Sequence, residues 1–290
     1  MKILNYGSLN IDVVFQVESI VRPGETIASS AVARHPGGKG LNQNIALARA
    51  GAVTYHGGLI GNDGLWLREL LEDNGVDCRH LHTVDTPTGS AFIQVERGGQ
   101  NSIVLFGGAN QKNSPELCDS ALSELSAGDM LLIQNEVNCM DYLIRAAHEK
   151  AVSIVLNPSP MNEIITSCDL SLVDWFILNE TEGLSIAGCS CIEDILPRLH
   201  ELFPNAGIVL TLGEDGSEAL YKGRRYRQAA FKTKAVDTTA AGDTFTGYFL
   251  ACISQGREVD EALLTASKAA AISVSREGAA SSIPRLDEVI

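Results

Sequence analysis

Short β-branched runs alternate with Ala/Leu-rich stretches of helical spacing through most of the chain, and no other feature restricts its fold so strongly. Residues 130–134, 152–157, 175–179 and 207–213 each read as an apolar strand covered on both faces. Residues 140–150 and 192–202 lie between them, with apolar side chains spaced along one helix face. Strand, helix, strand in that order packs as a right-handed parallel unit. The repetition predicts an α/β fold: three α/β/α layers around a mostly parallel central sheet. Such sheets take ligands beyond the carboxyl ends of their strands. That rule draws attention to Asn10, Asp12, Glu136, Asn157, Asn179, Glu182, Thr211 and Gly213, which stand at strand ends or just past them.

Two stretches break the rhythm. Residues 11–33 and 90–105 alternate apolar and polar side chains, with turns at Pro23-Gly24 and at 97–100. Residues 91–96 and 101–105 read as a hairpin. These strands predict a small antiparallel β lid, built from about 11–36 and 88–107, on a single domain spanning 1–290. A chain of 290 residues can bury one large core.

A net charge of −14 argues against nucleic acid and anionic membranes as partners, while a nucleotide held in a local anion hole is compatible with it. No apolar stretch is long enough to span a bilayer, and residues 1–7 read as a strand rather than a leader. The seven cysteines form no C-x-x-C pair. Reduced thiols and a cytoplasmic location are the expectation.

Chemistry concentrates in residues 236–245, where small residues sit between Asp237 and Asp243 just ahead of an apolar helical segment. A tight turn opening a helix at Ala241, Gly242 and Asp243 leaves N–H groups without intrahelical partners, and small side chains leave them uncovered. A carboxylate beside an anion hole repels a passively bound phosphate. It suits a reaction in which Asp243 takes a hydroxyl proton while the hole stabilises a transferring phosphoryl group. An ordinary aspartate cap is the rival explanation.

Other clusters are weaker alone. The run Pro36-Gly37-Gly38-Lys39-Gly40 precedes a helical stretch at 44–50, and Asn42 offers both donor and acceptors. It is neither a Walker A loop nor a dinucleotide fingerprint. A flexible loop before a helix explains it equally well. Asn10 and Asp12 point the same way along an extended segment and suit the hydroxyls of a polyol. Asn179 and Glu182 share one helix face, where a carboxylate can hold Mg²⁺ through water, or simply cap the helix. Residues 269–284 read as a helix running into a Gly/Ser loop.

Taken together and in order, these motifs resemble the ribokinase-type (PfkB) carbohydrate kinase family over nearly the whole chain. The matching motifs are G-S-x-N-x-D (7–12), P-G-E-T (23–26), G-G-K-G-x-N-Q (37–43), G-x-D-G (61–64), G-A-N (108–110), N-P-S-P (157–160), N-E-T-E (179–182), T-L-G (211–213) and D-T-x-A-A-G-D-T-F (237–245). The resemblance implies ATP-dependent phosphorylation of a sugar hydroxyl, nearest to the 5-hydroxyl of ribose. Related acceptors (2-deoxyribose, another pentose or ketose, a nucleoside) and a non-catalytic sugar-binding regulator are the alternatives.

It assigns Asp243 as base and the N–H groups of Ala240, Ala241 and Gly242 as the anion hole. Asn10, Asp12, Gly38, Lys39, Asn42 and Glu136 match the sugar-contacting positions. Asn179, Thr211, Gly213, Gly216, Gly242 and Ser267 match the nucleotide side. Glu182 matches a water-mediated Mg²⁺ position. Asp237, Thr239, Ser273, Arg276, Gly278 and Ser282 match a K⁺ site formed mostly by carbonyls. A homodimer through paired lids is also implied. Where many relatives have Gly-Ala-Gly this chain has Ala240-Ala241-Gly242. A working hole is expected if Ala240 keeps a negative φ.

Overall fold

A computed structural model describes residues 1–290. The strands in chain order are β1 (Lys2–Tyr6), β2 (Asn10–Val17), β3 (Ala31–Gly37), β4 (Val53–Gly61), β5 (Asp77–Val84), β6 (Gly89–Glu96) and β7 (Asn101–Phe106). They continue as β8 (Met130–Gln134), β9 (Ser153–Asn157), β10 (Trp175–Asn179), β11 (Gly207–Thr211), β12 (Ser217–Tyr221) and β13 (Arg224–Gln228). The helices are α1 (Lys39–Arg49), α2 (Leu65–Asp73), α3 (Pro115–Leu122), α4 (Met140–Glu149) and α5 (Glu163–Ser167). After them come α6 (Glu180–Ala187), α7 (Ile195–Leu202), α8 (Ala241–Ser254), α9 (Val259–Val274) and α10 (Leu286–Val289).

Nine strands form the main sheet in the order β13-β12-β11-β10-β9-β8-β1-β4-β5. Neighbours pair in parallel from β11 through β5, and β12 and β13 extend the sheet as an antiparallel edge. Successive side chains of a strand point to opposite faces, and both faces here are dry. Ile3, Leu132, Val155, Ile177 and Val209 pack toward α1, α8 and α9. Leu4, Leu131, Ile154, Phe176 and Ile208 pack toward the opposite helical layer. This double burial is why the strands read as continuous apolar runs rather than alternating ones. No helix is long and apolar enough to cross a membrane.

The second sheet has the order β3-β2-β6-β7. Its outer pairs, β2–β3 and β6–β7, are antiparallel as expected, but β2 and β6 run parallel. The cause is topological. β2 leaves the end of β1 and β6 leaves the end of β5, and β1 and β5 point the same way in the main sheet. Two strands leaving one edge in one direction meet side by side in parallel.

The expected start of the first helix needs a correction. It begins at Lys39, not Asn44, so Lys39, Asn42 and Gln43 lie in its opening turns. The glycines taken for a loop serve close approach instead. A Cβ on Gly40 would lie 2.5 Å from Gly7 C and Ser8 N, so the helix start rests on the chain between β1 and β2. Gly38 precedes it at φ 94, a conformation that favours glycine.

Candidate active site

The carboxyl ends of β9, β10 and β11 open onto a cavity of about 240 Å³. Lys39, Asn179, Glu182, Thr211 and residues 240–243 line it. The volume is below the range that encloses a whole small ligand. The cavity lies at the meeting point of the start of α1, the start of α6 and the end of β11.

Helix α8 starts at this meeting point. Ala240 precedes its first turn with φ 60 and ψ 11. The expectation of a negative φ is thus overturned. The turn needs a left-handed residue to aim the following N–H groups into the cavity, and an L-alanine there costs roughly 1–2 kcal/mol. Three of the four N–H groups at this turn remain free. The N–H of Ala241 donates to Thr238 O at 3.3 Å, while those of Ala240, Gly242 and Asp243 have no acceptor in the protein. A Cβ on Gly242 would meet nothing within 4 Å, so its N–H is approachable. These donors at a helix start suit an anion.

Asp243 is 8% exposed, and both its oxygens are engaged. Asn42 Nδ2 donates to Oδ2 at 3.0 Å and Gln43 Nε2 donates to Oδ1 at 2.9 Å. An ordinary cap would bond the backbone of its own helix, and Asp243 does not. The rival explanation therefore fails here. Lys39 lines the same cavity, and the Asp243 carboxylate raises its ammonium pKa. Burial opposes that rise, and Glu136 and Glu182 add to it.

Asn10, Asp12 and Glu136 gather at the root of the second sheet. Glu136 accepts from the Ser8 hydroxyl and from Lys39 N, the latter at 3.0 Å. Burial, and then the Glu136 charge, push the Asp12 carboxyl up to about 6. Asn10 Oδ1 accepts from Asn110 Nδ2 at 2.8 Å, which leaves the Asn10 amide nitrogen free to donate. Asn110 also donates to Leu9 O and accepts from Leu9 N, fixing the chain where it enters the second sheet. The Gly108-Ala109-Asn110 motif is visible in the sequence, but this part of Asn110 is not. Its only signal was a polar residue after paired glycines.

The β11 side holds the remaining positions. Asn179 and Glu182 form a reciprocal capping box: Asn179 Oδ1 accepts from Glu182 N at 2.9 Å, and Glu182 Oε2 accepts from Asn179 N at 3.1 Å. The capping role weighed for this pair is therefore real, yet Glu182 also faces the cavity. Thr211 lines the cavity at the end of β11, whereas Gly213 and Gly216 lie in the turn beyond it, at φ 55 and φ 99. Ser267 is buried within α9 and does not line the cavity.

Behind the α8 start, Asp237 accepts from Thr239 N and Oγ1 and from Gly278 N. Ser273 bonds Ser282 at 2.7 Å, and Thr244 reaches Ser273. These contacts bring the loops around 237 and 278 together. The Arg276 side chain turns away to Glu288, so only its backbone remains for this site.

A model of the pfkB family of carbohydrate kinases matches residues 1–286. The ribokinase of Haemophilus influenzae is 36% identical over 293 residues, covering 98% of this chain and 95% of its own. The ribokinase of Cryptococcus neoformans var. grubii in complex with ADP superposes with a TM-score of 0.89 at 37% identity, covering 99% of this chain and 98% of that one. The ribokinase of Arabidopsis thaliana complexed with ribose and ATP gives 0.86 at 29% identity, covering 99% and 96%.

Proposed function

The chain belongs to the pfkB family of carbohydrate kinases, and from that membership we propose that it transfers the terminal phosphoryl group of ATP to the 5-hydroxyl of D-ribose. One observation carries the reading: Asp243 stands beside free N–H groups at a helix start, its carboxylate held by Asn42 and Gln43. In that geometry Asp243 accepts the sugar hydroxyl proton as the hydroxyl attacks. The N–H groups of Ala240 and Gly242 then bind the phosphoryl oxygens as charge develops on them. On the sugar side, Asp12 and Glu136 accept from hydroxyls, Asn10 and Lys39 donate to them, and the Asn42 oxygen is a buried acceptor with no protein partner. Gly38 brings backbone close to the sugar. Asn179, Thr211, Gly213, Gly216 and Ser267 form the nucleotide side.

No cluster of three or more acidic, His or Cys side chains is available to chelate a metal directly. A hydrated Mg²⁺ arriving with the nucleotide would suit this donor set, and Glu182 would hold it through water. Mg²⁺ when bound neutralises phosphate charge. Asp237, Thr239, Ser273, Gly278, Ser282 and the Arg276 backbone would hold K⁺. The lid (11–36 and 88–107) covers the sugar and pairs two copies as a homodimer. Val32, Phe92, Val104 and Phe106 are exposed on one face of it, an apolar surface that pairing would cover. A cytoplasmic location suits the seven unpaired thiols.

The test is ADP release with D-ribose, 2-deoxyribose, fructose and adenosine, each with and without K⁺. D-ribose is expected to give the highest kcat/KM, with K⁺ raising turnover. A higher value for another acceptor overturns the ribose assignment, and sugar binding with no release for any acceptor revives a regulator.

Asp12 supplies a pH prediction. Below about 6 its carboxyl is protonated and accepts hydroxyls less well, so KM for ribose rises as pH falls through that value. Asp12→Asn should remove the dependence. Linkage gives the companion effect on folding. The native carboxyl holds its proton more tightly than the unfolded one, so its contribution to stability falls as pH climbs from 3.8 through about 6. A ribose KM that stays flat between about pH 5 and pH 8 would contradict the first expectation.

A further inference from the structure

A chain of buried amides runs under Asp243 from the middle of the main sheet. Gln43 Nε2 donates to Asp243 Oδ1 at 2.9 Å and to Asn157 Oδ1 at 3.0 Å. Gln43 Oε1 accepts from Gln134 Nε2 at 2.7 Å, and that same nitrogen donates to Asn5 Oδ1 at 2.9 Å. Asn5 Nδ2 in turn donates to Gly40 O at 2.9 Å, which closes the chain onto α1. Asn5, Gln43 and Gln134 are each 0% exposed.

The direction of every amide is forced. A carboxylate only accepts, so Gln43 must turn its nitrogen to Asp243. Asn157 spends its nitrogen on Ile177 O, so its oxygen must face Gln43. With both Gln43 hydrogens used, its oxygen faces Gln134, and Gln134 must present nitrogen to two acceptors at once. Gln134 Oε1 is then left buried without a partner. An apolar residue at 134 would continue the Met-Leu-Leu-Ile run of β8, but it would strip the buried Gln43 Oε1 and Asn5 Oδ1 of the donor they share. The amide at 134 is therefore explained by the donor it supplies to Gln43 and Asn5 rather than by apolar packing.

The two donors to Asp243 are not equivalent. Asn42 is fixed only at its nitrogen, since its oxygen has no partner. Gln43 is fixed at both ends. We propose that Gln43, locked by Gln134 and Asn5, is the positioning residue that sets the rotamer of Asp243 and turns its free lone pairs toward the cavity. The inference rests on Asp243 being the proton acceptor. Lys39 of α1 and Glu182 of α6 are the charged groups facing Asp243 across the cavity. The Gln43 side chain is hydrogen-bonded to neither, so substitution at 43 removes no bond of theirs.

The experiment is a cycle of Gln43→Leu and Gln43→Glu in the parent and in Asp243→Asn, read by ADP release with D-ribose. Gln43→Leu removes the donor. Gln43→Glu keeps the shape and the acceptor toward Gln134 but places a second carboxyl against Asp243, so that the two share one proton and Asp243 is a poorer acceptor for another; it serves if the first variant does not fold. In the parent, each is expected to lower kcat about 10- to 100-fold, the loss of one hydrogen bond to a charged group. KM for D-ribose should stay within about 2-fold, because Gln43 does not reach the sugar lobe. In Asp243→Asn, neither should change the residual turnover more than about 2-fold, because the effect runs through the carboxylate. Folded variants with parental kcat, an equal loss in the Asp243→Asn background, or a KM rise matching the kcat loss would each overturn the positioning role. The two readings fail separately. Near-parental turnover in Asp243→Asn removes the base, whereas an inactive Asp243→Asn beside normal Gln43 variants removes only the positioning role.

Discussion

Asp243→Asn is expected to lower turnover roughly 10²–10⁴-fold, the loss typical of a missing general base, while D-ribose still binds. The substitution keeps the shape and removes one acceptor. Asn42 and Gln43 both present N–H groups to this side chain. An asparagine can satisfy only one of them with its oxygen and must set its own NH₂ against the other. One buried donor left unpaired costs about 1–3 kcal/mol, which in a chain of this size lowers Tm by a few degrees. The kinetic loss corresponds to roughly 3–5 kcal/mol at 1.36 kcal/mol per tenfold. The chemical effect therefore outweighs the structural one, and the two are read separately, by steady-state ADP release and by thermal unfolding. Calorimetric titration with D-ribose checks that the sugar lobe persists. A variant within tenfold of the parent would remove Asp243 as the base.

What could be read from the chain divides along physical lines. The parallel sheet was legible because strands buried on both faces must be apolar throughout, and β8 to β11 are. The start of α8 was legible because small residues ahead of an apolar helical segment leave few alternatives. The start of α1 was not. Glycine lowers helix propensity, and nothing local reveals that Gly40 is needed because Ser8 lies against it. The parallel join of β2 and β6 was equally hidden, since each hairpin looks antiparallel on its own and only their common exit from the main sheet sets the relative direction. Ala240 was misjudged because propensity favours a negative φ for alanine, whereas the turn it occupies requires the opposite. Gln43 stood inside a recognised motif. Its part was still unreadable, because its partners Asn5, Gln134, Asn157 and Asp243 are scattered along the chain and meet only after folding.

Gly247→Ala sets local propensity directly against tertiary contact, and contact is expected to win. Gly247 lies in the interior of α8, four residues after Asp243 and so on the same face. An alanine in a helix interior gains about 1 kcal/mol over glycine, and on that ground alone the variant should be more stable. The new Cβ, however, would clash with Ala46 Cβ and lie 2.8 Å from Leu47 N and 2.9 Å from Gln43 O. Two of these are backbone atoms of α1, which cannot move without moving the helix. Overpacking of this kind costs about 1–3 kcal/mol, and sometimes more, so a net fall in Tm is expected. The larger consequence is functional. Helix α1 carries Lys39, Asn42 and Gln43, and α8 carries Asp243, so pushing the helices apart stretches the 2.9 and 3.0 Å bonds that hold the carboxylate. A displacement near 1 Å at a reacting group costs on the order of 10²-fold in rate. Gly247→Ala should therefore lose turnover out of proportion to its stability, at temperatures where circular dichroism shows it fully folded. Gly242→Ala, in the same helix, supplies the contrast in stability, since its Cβ meets nothing within 4 Å. A Gly247→Ala protein that melts higher than its parent and turns over normally would show that α1 and α8 can separate without disturbing Asp243.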